Sequence, residues 1–247
     1  FDNGTSLMSY VGHGGIHLWA DENLLDIWQV EGLSPQAQQP LLLTMNCLNG
    51  YFHLPTESNS LSEELLKADR QVYLLYSQAA QIVAQMETGL VLPSRASEAQ
   101  RMLCERYGVS GGQLQVFGRQ QWTAPPASGS NPPEAMVICP CTSGTLATVA
   151  HGVCDDLIDR AADVMLKERR KLIIVVRETP HSTIQLENML KLARAGATIM
   201  PANPGFYFSP QSVAEIVDFM VARILDHLGV DNALSNRWGE TSGSVVT

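Results

Sequence analysis

The sequence predicts an α/β fold: a parallel sheet with helices on both faces. Three observations point there. From Gln71 onward, strand-like and helix-like segments alternate regularly. The strand candidate Leu172–Val176 is almost continuously β-branched, the pattern of a strand covered on both faces. The stretches between strand candidates are helix-sized, which suits parallel strands joined by right-handed crossovers.

Taken in order, Leu7–Val11 is a short strand candidate and Leu24–Val30 a short helix. Leu41–Met45 is an apolar strand ending at Asn46-Cys47-Leu48-Asn49-Gly50. Ser60–Ala68 has helical spacing, with Leu61, Leu65 and Leu66 on one side and Ser60 and Glu63 placed as a capping box. Val72–Tyr76 is a strand, Ser77–Met86 and Ser97–Tyr107 are helices, and Gln113–Phe117 is a strand. The turn-rich stretch Trp122–Pro133 is a long loop. Ala135–Cys139 is a buried strand, and Thr145–Val153 and Asp156–Lys167 are helices. Ser182–Ala195 is an amphipathic helix stopped by Gly196. Thr198–Met200 is a short strand, and Gln211–Leu228 is a final helix closed by Gly229.

The chain has 247 residues, 45% of them hydrophobic and 17% charged, as a globular protein with a real core has. Because it opens at Phe1, a processed, truncated or excised chain is expected. A formal net charge of −9 argues against a nucleic-acid-binding surface. No apolar run approaches the roughly 18 residues of a membrane span, and no leader pattern opens the chain. Five cysteines (Cys47, Cys104, Cys139, Cys141, Cys154) without regular spacing read as reduced thiols in a cytoplasmic protein, with no metal site.

In such sheets ligands sit beyond the carboxyl ends of the strands. There the loop after Ala135–Cys139 contains Thr142-Ser143-Gly144-Thr145, which opens a helix and suits an anion, or acts as a plain N-cap. After Leu172–Val176 come Arg177 and Glu178, either a structural ion pair or an anion binder beside a proton carrier. Tyr207 lies beyond the strand Thr198–Met200, and Arg223 on the inner part of an apolar helix face formed by Ile216, Phe219, Met220 and Ile224. Ser77 caps the helix after Val72–Tyr76 or touches a ligand. Arg160 and Lys167, seven residues apart, share one helix face, which is solvated or functional.

Together these segments resemble the flavin prenyltransferase family (UbiX, formerly aromatic-acid decarboxylase). The residues that carry the likeness are Ser77-Gln-Ala-Ala80, Trp122-Thr-Ala-Pro-Pro-Ala-Ser-Gly-Ser130, Met136-Val-Ile-Cys-Pro-Cys141, Ser143-Gly-Thr145, Arg160-Ala-Ala-Asp-Val164, Leu166-Lys-Glu-Arg-Arg170, Val176-Arg-Glu-Thr-Pro180, Pro204-Gly-Phe-Tyr207 and Arg237-Trp-Gly239. The resemblance implies a Rossmann-like, flavoprotein-type three-layer domain over residues 70–240; Thr241–Thr247 reads separately as a disordered tail. It implies transfer of a dimethylallyl group from dimethylallyl phosphate to FMN, without a metal. The prenylated FMN would serve a downstream decarboxylase, as in ubiquinone biosynthesis. By the same resemblance, Ser77, Thr142, Ser143, Gly144, Thr145 and Arg177 hold FMN, while Arg160, Lys167, Tyr207 and Arg223 hold the prenyl phosphate. Glu178 assists proton transfer and Trp122 is an aromatic wall beside the prenyl cation. The family's homo-oligomer, a dodecamer with sites shared between subunits, is implied as well. A non-catalytic FMN-binding or assembly module is the alternative.

The family opens with a strand and a Gly-Ala-Ser-Gly-type loop, and none precedes Ser77 here. Instead Tyr10-Val-Gly-His-Gly-Gly15, Leu42-Leu-Thr-Met-Asn-Cys-Leu-Asn-Gly-Tyr-Phe52 and Ser60-Leu-Ser-Glu-Glu-Leu-Leu66 resemble a fragment of gingipain-type cysteine peptidases, which have a caspase-like α/β fold. In that likeness His13 is the base and Cys47 the nucleophile. The two patterns meet near Asp69–Gln71, as in a join between unrelated genes. The strand–loop–helix from Leu41 to Ala68 is then expected in the place of the missing first βα unit, beside Val72–Tyr76.

Overall fold

The computed structural model describes residues 18–19, 25–26, 40–45, 60–235 and 237. Its first elements are β1 (Leu18–Trp19) and β2 (Leu25–Asp26), paired antiparallel. Leu25 and Asp26 are therefore extended, not helical as the spacing of Leu24–Val30 suggests. A run that short is a poor isolated helix, and its Ile and Trp residues favour strands. The strand expected at Leu7–Val11 lies outside the described residues.

Six further strands form one all-parallel sheet: β3 (Leu41–Met45), β4 (Val72–Tyr76), β5 (Leu114–Val116), β6 (Ala135–Cys141), β7 (Lys171–Val176) and β8 (Thr198–Pro201). Their spatial order is β5-β4-β3-β6-β7-β8. Among the described residues the helices are α1 (Leu61–Lys67), α2 (Gln78–Thr88), α3 (Ala96–Tyr107), α4 (Ser143–His151), α5 (Leu157–Lys167), α6 (Thr183–Arg194) and α7 (Val213–Leu228).

Alternation along each strand divides the interior into two cores. Leu41, Leu43, Leu74, Val137 and Ile173 face one side, where α1, α2, α3 and α7 cover them. Leu42, Leu75, Met136, Ile138 and Ile174 face the other, under α4, α5 and α6. β3 lies at the centre: Leu41 pairs with Val72 of β4 on one side and Ala135 of β6 on the other. β3 thus sits beside β4, as expected of the first βα unit, and α1 packs on the face that Leu41, Leu43 and Leu74 share.

Helix ends follow the side chains. Ser60 caps α1 by accepting the Glu63 N–H at 3.2 Å, but the Glu63 carboxylate turns to Lys67 at 2.9 Å, so the expected capping box is half formed. A full box occurs at α6, where the Ser182 N–H donates to Gln185 Oε1 at 2.8 Å and Ser182 Oγ accepts the Gln185 N–H at 3.3 Å.

Tyr76 ends β4 buried, its hydroxyl donating to the Pro93 carbonyl at 2.8 Å. Burial pushes its phenol from the ordinary 10.0 up to about 12. The folded state therefore holds this proton more tightly than the unfolded chain does. That stabilisation is complete below the ordinary phenol value and is lost as pH rises through the interval from 10.0 to about 12. Tyr76→Phe is expected to flatten the alkaline limb of a Tm-versus-pH curve in that interval, while costing about 1 kcal/mol at neutral pH through the lost hydrogen bond. An alkaline limb as steep as that of the parent chain would contradict the assignment.

Candidate functional site

Strand order locates the site. From β3 the chain moves outward to β4 and β5, then returns to β6 and proceeds the opposite way to β7 and β8. The reversal opens a crevice at the carboxyl ends of β3 and β6, the place where open parallel sheets bind ligands. On the β6 side, Thr142 caps α4 by accepting the Thr145 N–H at 3.1 Å, and its hydroxyl donates to Thr145 Oγ1 at 3.0 Å. Gly144 is exposed in that first turn, and Ser143 and Thr145 are half-buried. Ser143 Oγ accepts from Gln185 Nε2 at 2.7 Å, tying the turn to α6. On the β4 side, Ser77 is buried and caps α2 through the Ala80 N–H at 3.1 Å. Arg177 and Glu178 follow β7, both half-buried. The first turns of two helices, with hydroxyls and a guanidinium nearby, form a donor set that suits a phosphate ester.

A second group forms along α5. Its first turn is fixed by Asp156, whose Oδ1 accepts the Ile158 and Asp159 N–H groups at 2.8 and 3.0 Å while Oδ2 pairs with Arg119. Arg160 Nε donates to the Ala127 carbonyl at 3.0 Å, and its other arm pairs with Asp163 at 2.9 Å. The loop that starts at Trp122 therefore lies against α5. It reaches the Lys167–Glu168 ion pair: a Cβ on Gly129 would stand 2.0 Å from Glu168 Oε1 and 2.4 Å from Lys167 Nζ, so a larger residue there would push these two side-chain ends aside. Trp122 is half-exposed at the head of the loop. From sequence, Ser128-Gly129-Ser130 reads as turn formers and Arg119 carries no signal. The contacts that give both residues their roles come only with the fold.

A third group lies on α7. The Tyr207 ring stands edge-on to Phe208 at 5.8 Å and Phe219 at 6.2 Å. It folds back over Gly205, where a Cβ would come within 2.5 Å of the ring. Arg223 lies one turn beyond Phe219 and pairs with Asp226 at 2.9 Å. Arg223 is exposed, which corrects its expected inner placement. The buried stripe of α7 runs through Val217, Val221, Ile224 and Leu228, so Arg223 falls outside it.

The expected convergence of Arg160, Lys167, Tyr207 and Arg223 in one basin therefore does not occur within a single chain. α5 covers one face of the sheet and α7 the other, and the sheet separates the two pairs. Arg160 and Lys167 lie along α5, and Tyr207 packs against Phe219 of α7, one turn before Arg223. His13 and Cys47 lie outside the described residues. Among the described residues no group of three or more His, Cys, Asp or Glu side chains could hold a metal ion, and no helix is long and apolar enough to cross a membrane.

Known proteins resemble this chain in sequence and fold. The chain matches the Flavoprotein family over residues 53–225. It is 56% identical over 176 residues to the flavin prenyltransferase UbiX of Pseudomonas aeruginosa, covering 71% of this chain and 84% of that protein. A crystal structure of a UbiX protein in complex with FMN and dimethylallyl pyrophosphate matches with a TM-score of 0.69 at 32% identity, over 83% of this chain and 100% of that one. A dodecameric FMN-dependent UbiX-like decarboxylase from Escherichia coli O157:H7 matches with a TM-score of 0.61 at 33% identity, over 77% of this chain and 96% of that one. With a six-stranded parallel sheet, a phosphate-suited crevice at its switch point and this degree of identity, the chain belongs to the Flavoprotein family and, within it, to the UbiX-type flavin prenyltransferases.

Proposed function

We propose that this chain transfers the dimethylallyl group of dimethylallyl phosphate to reduced FMN, releasing phosphate and yielding prenylated FMN. The observation that carries the reading is the pairing of a phosphate-suited crevice between β3 and β6 with two further cationic sets, on α5 and α7, for a second phosphate. In this reading Ser77, the Thr142–Thr145 turn and Arg177 hold FMN, which when bound supplies the nucleophilic ring atoms. Arg160, Lys167, Tyr207 and Arg223 hold the prenyl phosphate. As the carbon–oxygen bond breaks, the electron pair goes to the phosphate, and these donors stabilise the charge where it grows. Trp122 offers its π face to the positive charge left on the prenyl group. Glu178 accepts the proton that the acceptor ring loses.

Because the α5 and α7 sets lie on opposite faces, a complete phosphate site draws them from different copies of the chain, and the working form is a homo-oligomer. β3 and α1 supply the first βα unit of the domain, and α1 falls within the residues that match the family. The product serves a partner decarboxylase, in a ubiquinone-type pathway in the cytoplasm. The peptidase likeness of residues 1–69 rests on sequence motifs alone; labelling of Cys47 by a peptidase-directed thiol probe, abolished in His13→Ala, would support it.

The test begins with the purified chain, titrated with FMN and followed by visible absorbance. Reduced FMN and dimethylallyl phosphate are then added without oxygen, and the flavin product is weighed by mass spectrometry. A mass increase of one prenyl unit is expected. Failure to retain flavin would overturn the reading. Flavin retained without turnover would favour the second reading, a non-catalytic FMN-binding module. One sequence observation favours that module: Asn46-Cys47-Leu48-Asn49-Gly50 stands after β3 where the family carries a Gly-rich loop.

A further inference from the structure

At the amino edge of the sheet, opposite the crevice, the turns that follow α5 and α6 border an open cavity of about 590 Å³. Its charged lining is Lys167, Arg169, Arg170 and Arg194, and no acidic residue is among the described residues that line it, although Lys167, which belongs to the prenyl-phosphate set, pairs with Glu168 beside it. In a chain of net charge −9, four cations around one concavity are a strong local departure. Part of the pattern has a plain cause, since a cation in the last turn of a helix complements the helix dipole, as Lys167 and Arg194 do. Arg169 and Arg170 need another explanation, because they follow α5 rather than belong to it.

Arg169 sits at φ 53°. At the corresponding left-handed position, α2, α3, α4 and α7 each end on a glycine, with φ between 67° and 71°, while α1 is followed by Asp69 at φ 54°. A side chain in this region is disfavoured by roughly 1–2 kcal/mol relative to glycine. The turn is nevertheless closed, with the Arg169 N–H on the Leu166 carbonyl at 3.2 Å and the Arg170 N–H on the Met165 carbonyl at 2.8 Å. Asp69 closes α1 through the same pair of hydrogen bonds, so what sets this turn apart is that Arg169 joins Arg170 and Arg194 around the concavity. Arginine forks match phosphate oxygens in pairs, and a cavity of this size is within the range of small-molecule sites.

We propose that this cavity is a second anion site, taking a small molecule that bears a diphosphate group, with Arg169, Arg170 and Arg194 as its principal donors. None of these three arginines has a part in the prenyl transfer proposed above.

The probe is inorganic pyrophosphate, titrated calorimetrically into the full chain at low ionic strength. Three proteins are compared: the parent, Arg170→Gln/Arg194→Gln, and Arg160→Gln, which weakens the prenyl-phosphate set instead. Saturable binding is expected in the parent and in Arg160→Gln, with affinity lowered about tenfold or more in the double variant. Circular dichroism checks that the double variant folds; if it does not, Arg194→Gln alone, at an exposed position, carries the comparison. Three results would overturn the proposal. One is no saturable binding in the parent. Another is binding lost in Arg160→Gln and unchanged in the arginine variants. The third is sulfate binding as tightly as pyrophosphate, which would mean an adventitious ion only.

Discussion

Replacing Lys167 by alanine is expected to lower prenyl transfer by about 10²–10³-fold, the scale seen when one preorganised donor to a developing negative charge is removed. Arg223→Ala is expected to do the same. Neither change should weaken FMN binding, because neither residue lies at the crevice between β3 and β6. The informative experiment mixes the two variants. Lys167 belongs to the face covered by α5 and Arg223 to the face covered by α7, so one chain cannot bring both to one phosphate. If each site takes Lys167 from one copy and Arg223 from another, co-expressed variants assemble some sites that have both residues intact, about a quarter under random mixing. If both residues came from one chain, every site in the mixture would lack one of them and activity would stay at the level of the single variants. Steady-state assay of the co-expressed, co-purified oligomer decides between these outcomes. Absence of any recovery would sink the shared-site reading.

How much of this was legible in the sequence depends on which residues are considered. The strands and most helices could be read because their signals are local: Leu172–Val176 is a β-branched run, and Ser182 with Gln185 is a capping pair wherever the helix sits. The shared face of Arg160 and Lys167 was legible for the same reason, since helical periodicity alone sets it. The error at Arg223 came from the same rule taken too far. Its neighbours Met220 and Ile224 are buried, but half-buried Phe219 and Ile216 mark the rim of the stripe, and the width of that stripe depends on what α7 packs against. The separation of the two donor pairs, Arg160 with Lys167 and Tyr207 with Arg223, was not legible, because it depends on strand order. Only once β3 is known to lie between β4 and β6 does it follow that the chain reverses direction there. The reversal sends α1, α2 and α3 to one face and α4, α5 and α6 to the other. The role of Gly129 was hidden for a related reason: its close approach to Lys167 spans the distance from a loop to the end of a helix.

The second large effect concerns β3. Leu43→Ala is expected to destabilise the chain by about 2–5 kcal/mol, the usual cost of emptying a fully buried leucine site. Leu43 is completely inaccessible and belongs to the core under α1, α2, α3 and α7, while its neighbour Leu42, equally inaccessible, belongs to the opposite core. β3 therefore holds both layers together at the centre of the sheet, and its neighbours β4 and β6 pair with it rather than with each other. A loss of that size is a large share of the roughly 5–15 kcal/mol by which domains are stable. It is measured by urea unfolding of the parent and the variant, followed by circular dichroism. The result bears on function, because the crevice has β3 as one wall: a chain that loses β3 loses the switch point together with its stability. A cost under about 1 kcal/mol would place Leu43 outside any core. The domain would then have to close β4 directly onto β6, with no crevice between β3 and β6 to receive a phosphate.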